Sequence, residues 1–187
     1  MGESSIQELS LLLDTPDPAA LGPEPRPGRS AAATLNRRLD KLFEKSGLDQ
    51  GRRMLLRSLL LLWHDHLDAS HEISQNIHDA DGSCLHGIMH RREPDYGNAK
   101  YWFNRVGDHP AFPILADRVK RLQKEFLKVD HVVVFPRPGP WNPLLFVDAC
   151  QRTLAAGDRA KIRRMERIQQ LEFQVLLEWF CGGNDAA

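Results

Sequence analysis

Between Cys84 and Trp102 the chain reads CLHGIMHRREPDYGNAKYW, and His86, His90, Arg91, Arg92, Glu93, Asp95, Lys100 and Trp102 crowd into it. His86 and His90 are four residues apart and Glu93 follows three later, so on a helix all three share one face. Upstream, His64, His71 and His78 recur at intervals of seven, with Asp68 and Gln75 beside them. That spacing keeps the three imidazoles near one side of a continuous helix, on the border of its apolar stripe. Two such helices can bring imidazoles and carboxylates to one pocket.

Neutral imidazole and carboxylate are the usual protein ligands of zinc, iron and manganese. The expected ligands are His71, His86 and His90, with Glu93 as a fourth ligand or as general base. Asp68, Glu72 and His64 stand where they can orient an imidazole through its second ring nitrogen. Three protein ligands leave a position for water, whose pKa a divalent ion lowers toward neutrality. Arg91, Arg92, Lys100 and Trp102 suggest a complementary role: the guanidinium fork and an aromatic face suit a small anionic or hydroxylated ligand. Arg91 and Arg92 differ by about 100° on a helical wheel, so one of them is expected to point inward.

Structural alternatives accompany each of these assignments. Boundary histidines often only satisfy hydrogen bonds, Arg92 can pair with Asp95, and Arg91 and Lys100 can be solvated. Neither a His-Glu-x-x-His nor a Cys-x-x-Cys motif occurs. Cys84, near a helix start, reads as a buried inert thiol more readily than as a nucleophile. His109, in Asp108-His109-Pro110, reads as a turn residue. The basic run Lys161–Arg164 is followed by Glu166, Glu172 and Glu178 and reads as a solvated face. The absence of a Gly-rich phosphate loop and of a Gly-x-Ser-x-Gly elbow argues against P-loop and α/β-hydrolase chemistry.

Helical periodicity supplies the elements that must position these residues. Thr34 is placed to cap a helix carrying Leu35, Leu39, Leu42 and Phe43, ended by Gly47. One long segment, with a kink, is expected from Gln50 to Ile77, and Ser83 is placed to cap a short helix that stops before Pro94. Asp95 precedes a helix through Val106, with Gly107 as its stop. Leu115, Val119, Leu122 and Phe126 repeat at helical spacing. His131 to Phe135 is the one β-like run. Asn142-Pro143 opens a helix to Ala156, and Asp158 opens the last, whose stripe runs from Ile162 to Trp179 before Gly182-Gly183.

The expected fold is therefore all-α, with a single helical domain over 34–181 and a short tail over 182–187. Five prolines and two glycines between residues 14 and 30 read as a linker, making 1–33 a mobile, disordered N-terminal arm. Of the 187 residues 42% are hydrophobic and 27% charged, enough for a real core. Acidic and basic residues balance at 25 each, which argues against nucleic acid as a partner. Three scattered cysteines suit a reducing compartment. With neither a membrane-length apolar run nor an export signal evident, a cytoplasmic location is expected.

The run from Leu62 to Pro113, LWHDHLDASHEISQNIHDADGSCLHGIMHRREPDYGNAKYWFNRVGDHPAFP, resembles the signature stretch of a family of bacterial and fungal proteins of unknown function. The resemblance covers a little over a quarter of the chain and implies no reaction. It implies only that the family's characteristic residues are those singled out above. Three classes of function follow: a small divalent-metal-dependent enzyme acting on a small metabolite, a non-catalytic module binding such a ligand, or a protein-interaction scaffold.

Overall fold

The computed structural model describes residues 3–130 and 140–182, with side chains over 6–126 and 140–182. All regular structure among the described residues is helical: α1 (Glu3–Ser10), α2 (Ala32–Glu44), α3 (Gln50–Trp63), α4 (Leu67–Ser74), α5 (Ala80–Arg92), α6 (Tyr96–Val106), α7 (Ala111–Asp130), α8 (Pro143–Ala156) and α9 (Arg159–Phe180). The β-like run His131–Phe135 lies outside the described residues. No described helix is long and apolar enough to cross a membrane.

Local sequence chemistry explains most helix starts. Asp49, Asp79, Asp95, Asn142 and Asp158 each accept backbone N–H bonds in the first turn of the helix they precede. Pro143 begins α8, where its missing N–H costs nothing. Two caps differ from expectation. Ala31, not Thr34, precedes α2 and makes no side-chain cap. Asp79, not Ser83, starts α5, because Gly82 allows that turn to close over Ile77; a Cβ at Gly82 would collide with the Ile77 carbonyl oxygen.

The expected helix from Gln50 to Ile77 is in fact two, broken at Asp65. Asp65 is left-handed with φ 64°, and the break has the hydrogen bonding of a Schellman motif: Asp65 N–H donates to Leu62 O at 3.2 Å and His66 N–H to Leu61 O at 2.9 Å. Neither Gly nor Pro marks the break in the sequence. Asp tolerates this conformation better than most residues, and here its carboxylate is held from two sides. Arg92 Nη2 donates to Oδ1 at 2.7 Å and Arg26 Nε to Oδ2 at 2.8 Å. Burial alone would raise the carboxyl pKa; the hydrogen bonds from Arg26 and Arg92 outweigh it and hold Asp65 below the ordinary aspartate range. Across the corner, the Ser58 and Ser70 hydroxyls lie 2.9 Å apart and fix how α4 folds back on α3.

Helix α5 packs against α3, α4 and α6, while α9 packs against α1, α3, α7 and α8. Trp63, Leu85, Ile88, Met89, Phe146, Ile168 and Phe173 are buried in the shared core, Trp63 meeting Phe173 edge-on at 5.2 Å. Gly87 brings α5 and α6 together, since a Cβ there would stand 3.0 Å from the Phe103 ring. A second ion pair lies inside this core. The Arg91 fork spans Glu172 at 3.1 and 2.5 Å, and also donates to Gln169 Oε1 at 3.1 Å. Burial opposes the Arg91 charge, but Glu172 overrides it and the guanidinium stays protonated.

The N-terminal arm does not follow the expectation of a mobile segment. It lacks helix from Leu11 to Ser30, as its prolines require, yet Leu9, Leu12, Leu13, Ala19 and Leu21 are buried against the body. Proline removes helical capacity without removing apolar side chains, and each buried leucine contributes roughly 1.5–3 kcal/mol. The arm's backbone is satisfied by the body: Gln169 Nε2 donates to Ala19 O at 2.8 Å and His64 Nε2 lies 2.9 Å from Leu12 O.

The corner yields a stability prediction. Asp65→Gly keeps a residue suited to the left-handed turn but leaves Arg92 and Arg26 without their carboxylate. Loss of a buried pair's partner costs about 3–5 kcal/mol. Urea unfolding should show a midpoint shift of that size; a variant as stable as wild type would mean that the turn, and not the charge cluster, fixes the corner.

Candidate functional site

The break at Asp65 sets the helical phase of α4, and with it the direction of His71. Helix α4 carries His71 toward α5, where His86 and His90, one turn apart, face it. His71 lies 4.6 Å from His86 and 5.3 Å from His90 between ring centroids, and His86 lies 4.7 Å from His90. One nitrogen from each of the three imidazoles falls within 4.8 Å of the others. His86 is 3% exposed and His90 7%, while His71 is half-buried. The three expected ligands therefore share one site.

Helix α6 closes another side. Trp102 stacks on the His86 ring at 3.9 Å and 17°, which removes one face of that imidazole from water. The exposed Tyr101 ring meets Trp102 edge-on at 5.4 Å. Glu93, at the C-cap of α5, places Oε2 3.3 Å from His90 Nδ1. Asn98, in the first turn of α6, places Nδ2 3.0 Å from His90 Nε2 and 3.4 Å from Nδ1.

The electrostatics disfavour the charged forms of His86 and His90. Burial, reinforced by the neighbouring His90 and His71, pushes the His86 pKa down to about 4. Burial also lowers that of His90, against the opposing pull of Glu93. His86 Nδ1 is buried and has no hydrogen-bond partner. A buried nitrogen without a partner is costly, and this one belongs to a cluster of three imidazoles that each bring a nitrogen within 4.8 Å of the others.

The other expected site residues go elsewhere. Arg91 and Arg92 do not line the pocket: both are fully buried, one bound to Glu172 and Gln169, the other to Asp65 and to Leu62 O. Arg92 pairs with Asp65 rather than with Asp95. Lys100 reaches Asp148 at 2.5 Å and braces α6 against α8. His64 turns to the arm at Leu12 O, because the left-handed residue after it ends the seven-residue phase that would align it with His71. Asp68 and Glu72 are exposed, and no hydrogen bond or ion pair joins them to the imidazoles. Glu93 stays beside His90 but outside the group of three mutually close imidazoles.

Sequence reasoning passed over Asn98 as a partner of His90; its position eight residues on, in the first turn of the next helix, was the available signal. It also gave no weight to Asp65, an aspartate inside an apparently continuous helical pattern. His109 is buried, donating through Nε2 to Asp81 at 2.7 Å and accepting Ala111 N–H at Nδ1, a structural tie between α5 and the start of α7. All three cysteines are buried and free, and burial raises their thiol pKa values. A cleft of about 150 Å³ between the arm and the α3–α4 corner is lined by Arg26, Arg29, Ser30 and His64 and shares none of the three imidazoles. The Arg26 guanidinium in it is already committed to Asp65, Thr15 and the Asp17 and Trp63 carbonyls.

The lowered pKa of His86 gives the site a pH signature. At pH 7 the residue is neutral folded and unfolded. As pH falls from 6.5 toward 4, the unfolded chain takes up a proton that folded His86 refuses, so stability falls through that window and levels off below it. The melting temperature of metal-free protein should drop between pH 7 and 5, and less steeply in His86→Gln. Equal slopes in both would place the titrating group elsewhere.

Comparison with protein-family models, with curated proteins and with solved structures finds no match to this chain.

Proposed function

We propose that His71, His86 and His90 hold one divalent metal ion, and that the protein is a small metal-dependent enzyme using water bound to that ion. The observation that carries this reading is the convergence of three buried or half-buried imidazoles whose ligand nitrogens lie within 4.8 Å of one another. Metal–nitrogen bonds of about 2.0–2.1 Å put two donors on a tetrahedral ion somewhat over 3 Å apart, which small side-chain rotations supply. The partnerless Nδ1 of His86 supports the same reading.

The donor set bears on which ion. Three imidazoles suit zinc or ferrous iron better than manganese, which favours oxygen ligands. With three protein ligands a fourth position accepts water, and the ion lowers the pKa of that water to about 7. Glu93 beside His90 Nδ1 completes the usual carboxylate–histidine–metal arrangement: it fixes the tautomer with hydrogen on Nδ1 and leaves Nε2 to bind. Because Arg91 and Arg92 are consumed by the fold, no role in anion recognition is assigned to them.

Elemental analysis of protein purified without a His-tag tests the reading. Wild type should carry close to one equivalent of zinc or iron. His71→Ala and His86→Ala should lose most of it with helical content retained, and Glu93→Gln should weaken the ion by about 10- to 100-fold. Wild type with negligible metal after growth and dialysis with added zinc or iron would overturn the proposal.

A further inference from the structure

We propose that the side-chain amide of Asn98 serves the open coordination position, donating a hydrogen bond to whatever small anion or oxygen ligand binds the ion there. The inference rests on the metal reading above and assigns a binding role to a residue outside the ligand set.

Asn98 is placed rigidly against His90. Asp95 N–H donates to His90 O at 3.0 Å, tying the start of α6 to the last turn of α5. The Asp95 side chain then accepts Asn98 N–H at 3.1 Å, and its carbonyl accepts Ala99 N–H at 2.9 Å. Helical side chains lean toward the N-terminus, which directs Asn98 back toward α5. The side chain of Asn98 has no hydrogen-bond partner but His90 among the described residues.

The two distances define where the donor stands. An amide aimed straight at the Nε2 lone pair would be far from Nδ1, on the opposite side of the ring. Contacts of 3.0 Å to Nε2 and 3.4 Å to Nδ1 instead put Nδ2 over the face of the ring, close to a right angle from the Nε2 lone pair. The in-plane Nε2 lone pair is therefore left open to an ion, with an amide donor to the side of that nitrogen. Glu93 occupies the Nδ1 side and, as an acceptor, fixes the ring. An ion on Nε2 would thus have a neutral donor beside it, in the place where a fixed dipole stabilises negative charge on a bound oxygen or nitrogen. Trp102, stacked on His86, shields the neighbouring ligand, so Asn98 is the polar group offered to the remaining position.

Cobalt-loaded protein titrated with azide, followed by the visible absorption of the ion, tests this directly. Wild type should take up one cobalt and change its spectrum on binding azide. Asn98→Ala should retain cobalt with affinity within about threefold of wild type, because only a side-chain hydrogen bond is removed, and should bind azide about tenfold more weakly. Asn98→Asp, of the same shape but with no N–H to donate, should lose at least as much azide affinity. Equal azide affinity in wild type and Asn98→Ala would overturn the inference while leaving the metal site standing. Loss of cobalt from Asn98→Ala would also overturn it, making the residue part of the ion's own support. Absence of any azide response in cobalt-loaded wild type would show that no position is open. Failure of wild type to bind cobalt at all would instead remove the metal reading itself.

Discussion

Everything that positions the imidazoles depends on one buried charge cluster, Asp65 held between Arg92 and Arg26. Asp65 ends α3 in a left-handed turn, a conformation that costs about 1–2 kcal/mol for an ordinary L-residue and less for Asp. Its carboxylate is fully buried, as is the Arg92 guanidinium. Desolvating such a pair is expensive and is offset by good geometry and additional hydrogen bonds. Here the partners come from three directions: Arg92 from α5, Arg26 from the arm, and the carbonyls of Leu62 and Trp63 from the end of α3. The cluster fixes the angle between α3 and α4, anchors the C-terminal end of α5, and fastens the arm. His71 stands six residues beyond Asp65 and His90 two residues before Arg92, so these imidazoles inherit their placement from it.

The polar residues of the 84–102 stretch divide accordingly. Arg91 and Arg92 face inward in different directions and are absorbed by Glu172 and Asp65, where removing either partner leaves an unpaired buried charge. His86, His90, Glu93, Asn98 and Trp102 gather instead with His71 in one cluster. The first group ties the helices together and the second clusters around His86 and His90. A frame of this kind holds the three imidazoles close together.

Much of this was legible in the sequence. Asp95, Asn142-Pro143 and Asp158 gave the starts of α6, α8 and α9, and Gly107 the end of α6, because capping is local chemistry that burial seldom overrides. The i, i+4 spacing of His86 and His90 correctly placed both on one face of α5. What was not legible depended on contacts between distant residues. Nothing near Asp65 signals a helix break, since its left-handed turn is stabilised by side chains 27 and 39 residues away. Read as one helix, the segment put His64 and His78 in phase with His71; the corner at Asp65 removes the first and the end of α4 at Ser74 the second. The two arginines looked like anion binders because their partners, Glu172 and Asp65, lie 81 and 27 residues away. The arm looked mobile because proline content reports lost helix, not lost burial.

The central claim is that the corner at Asp65 delivers His71 to the His86–His90 face so that the three imidazoles grip one ion. Anomalous diffraction at the zinc edge, from crystals grown with one equivalent of zinc, measures this directly. A single strong peak within about 2.0–2.1 Å of one nitrogen of each of His71, His86 and His90 is the predicted result. A map with no peak among them, or with zinc bound by His86 and His90 while His71 points away, would contradict it.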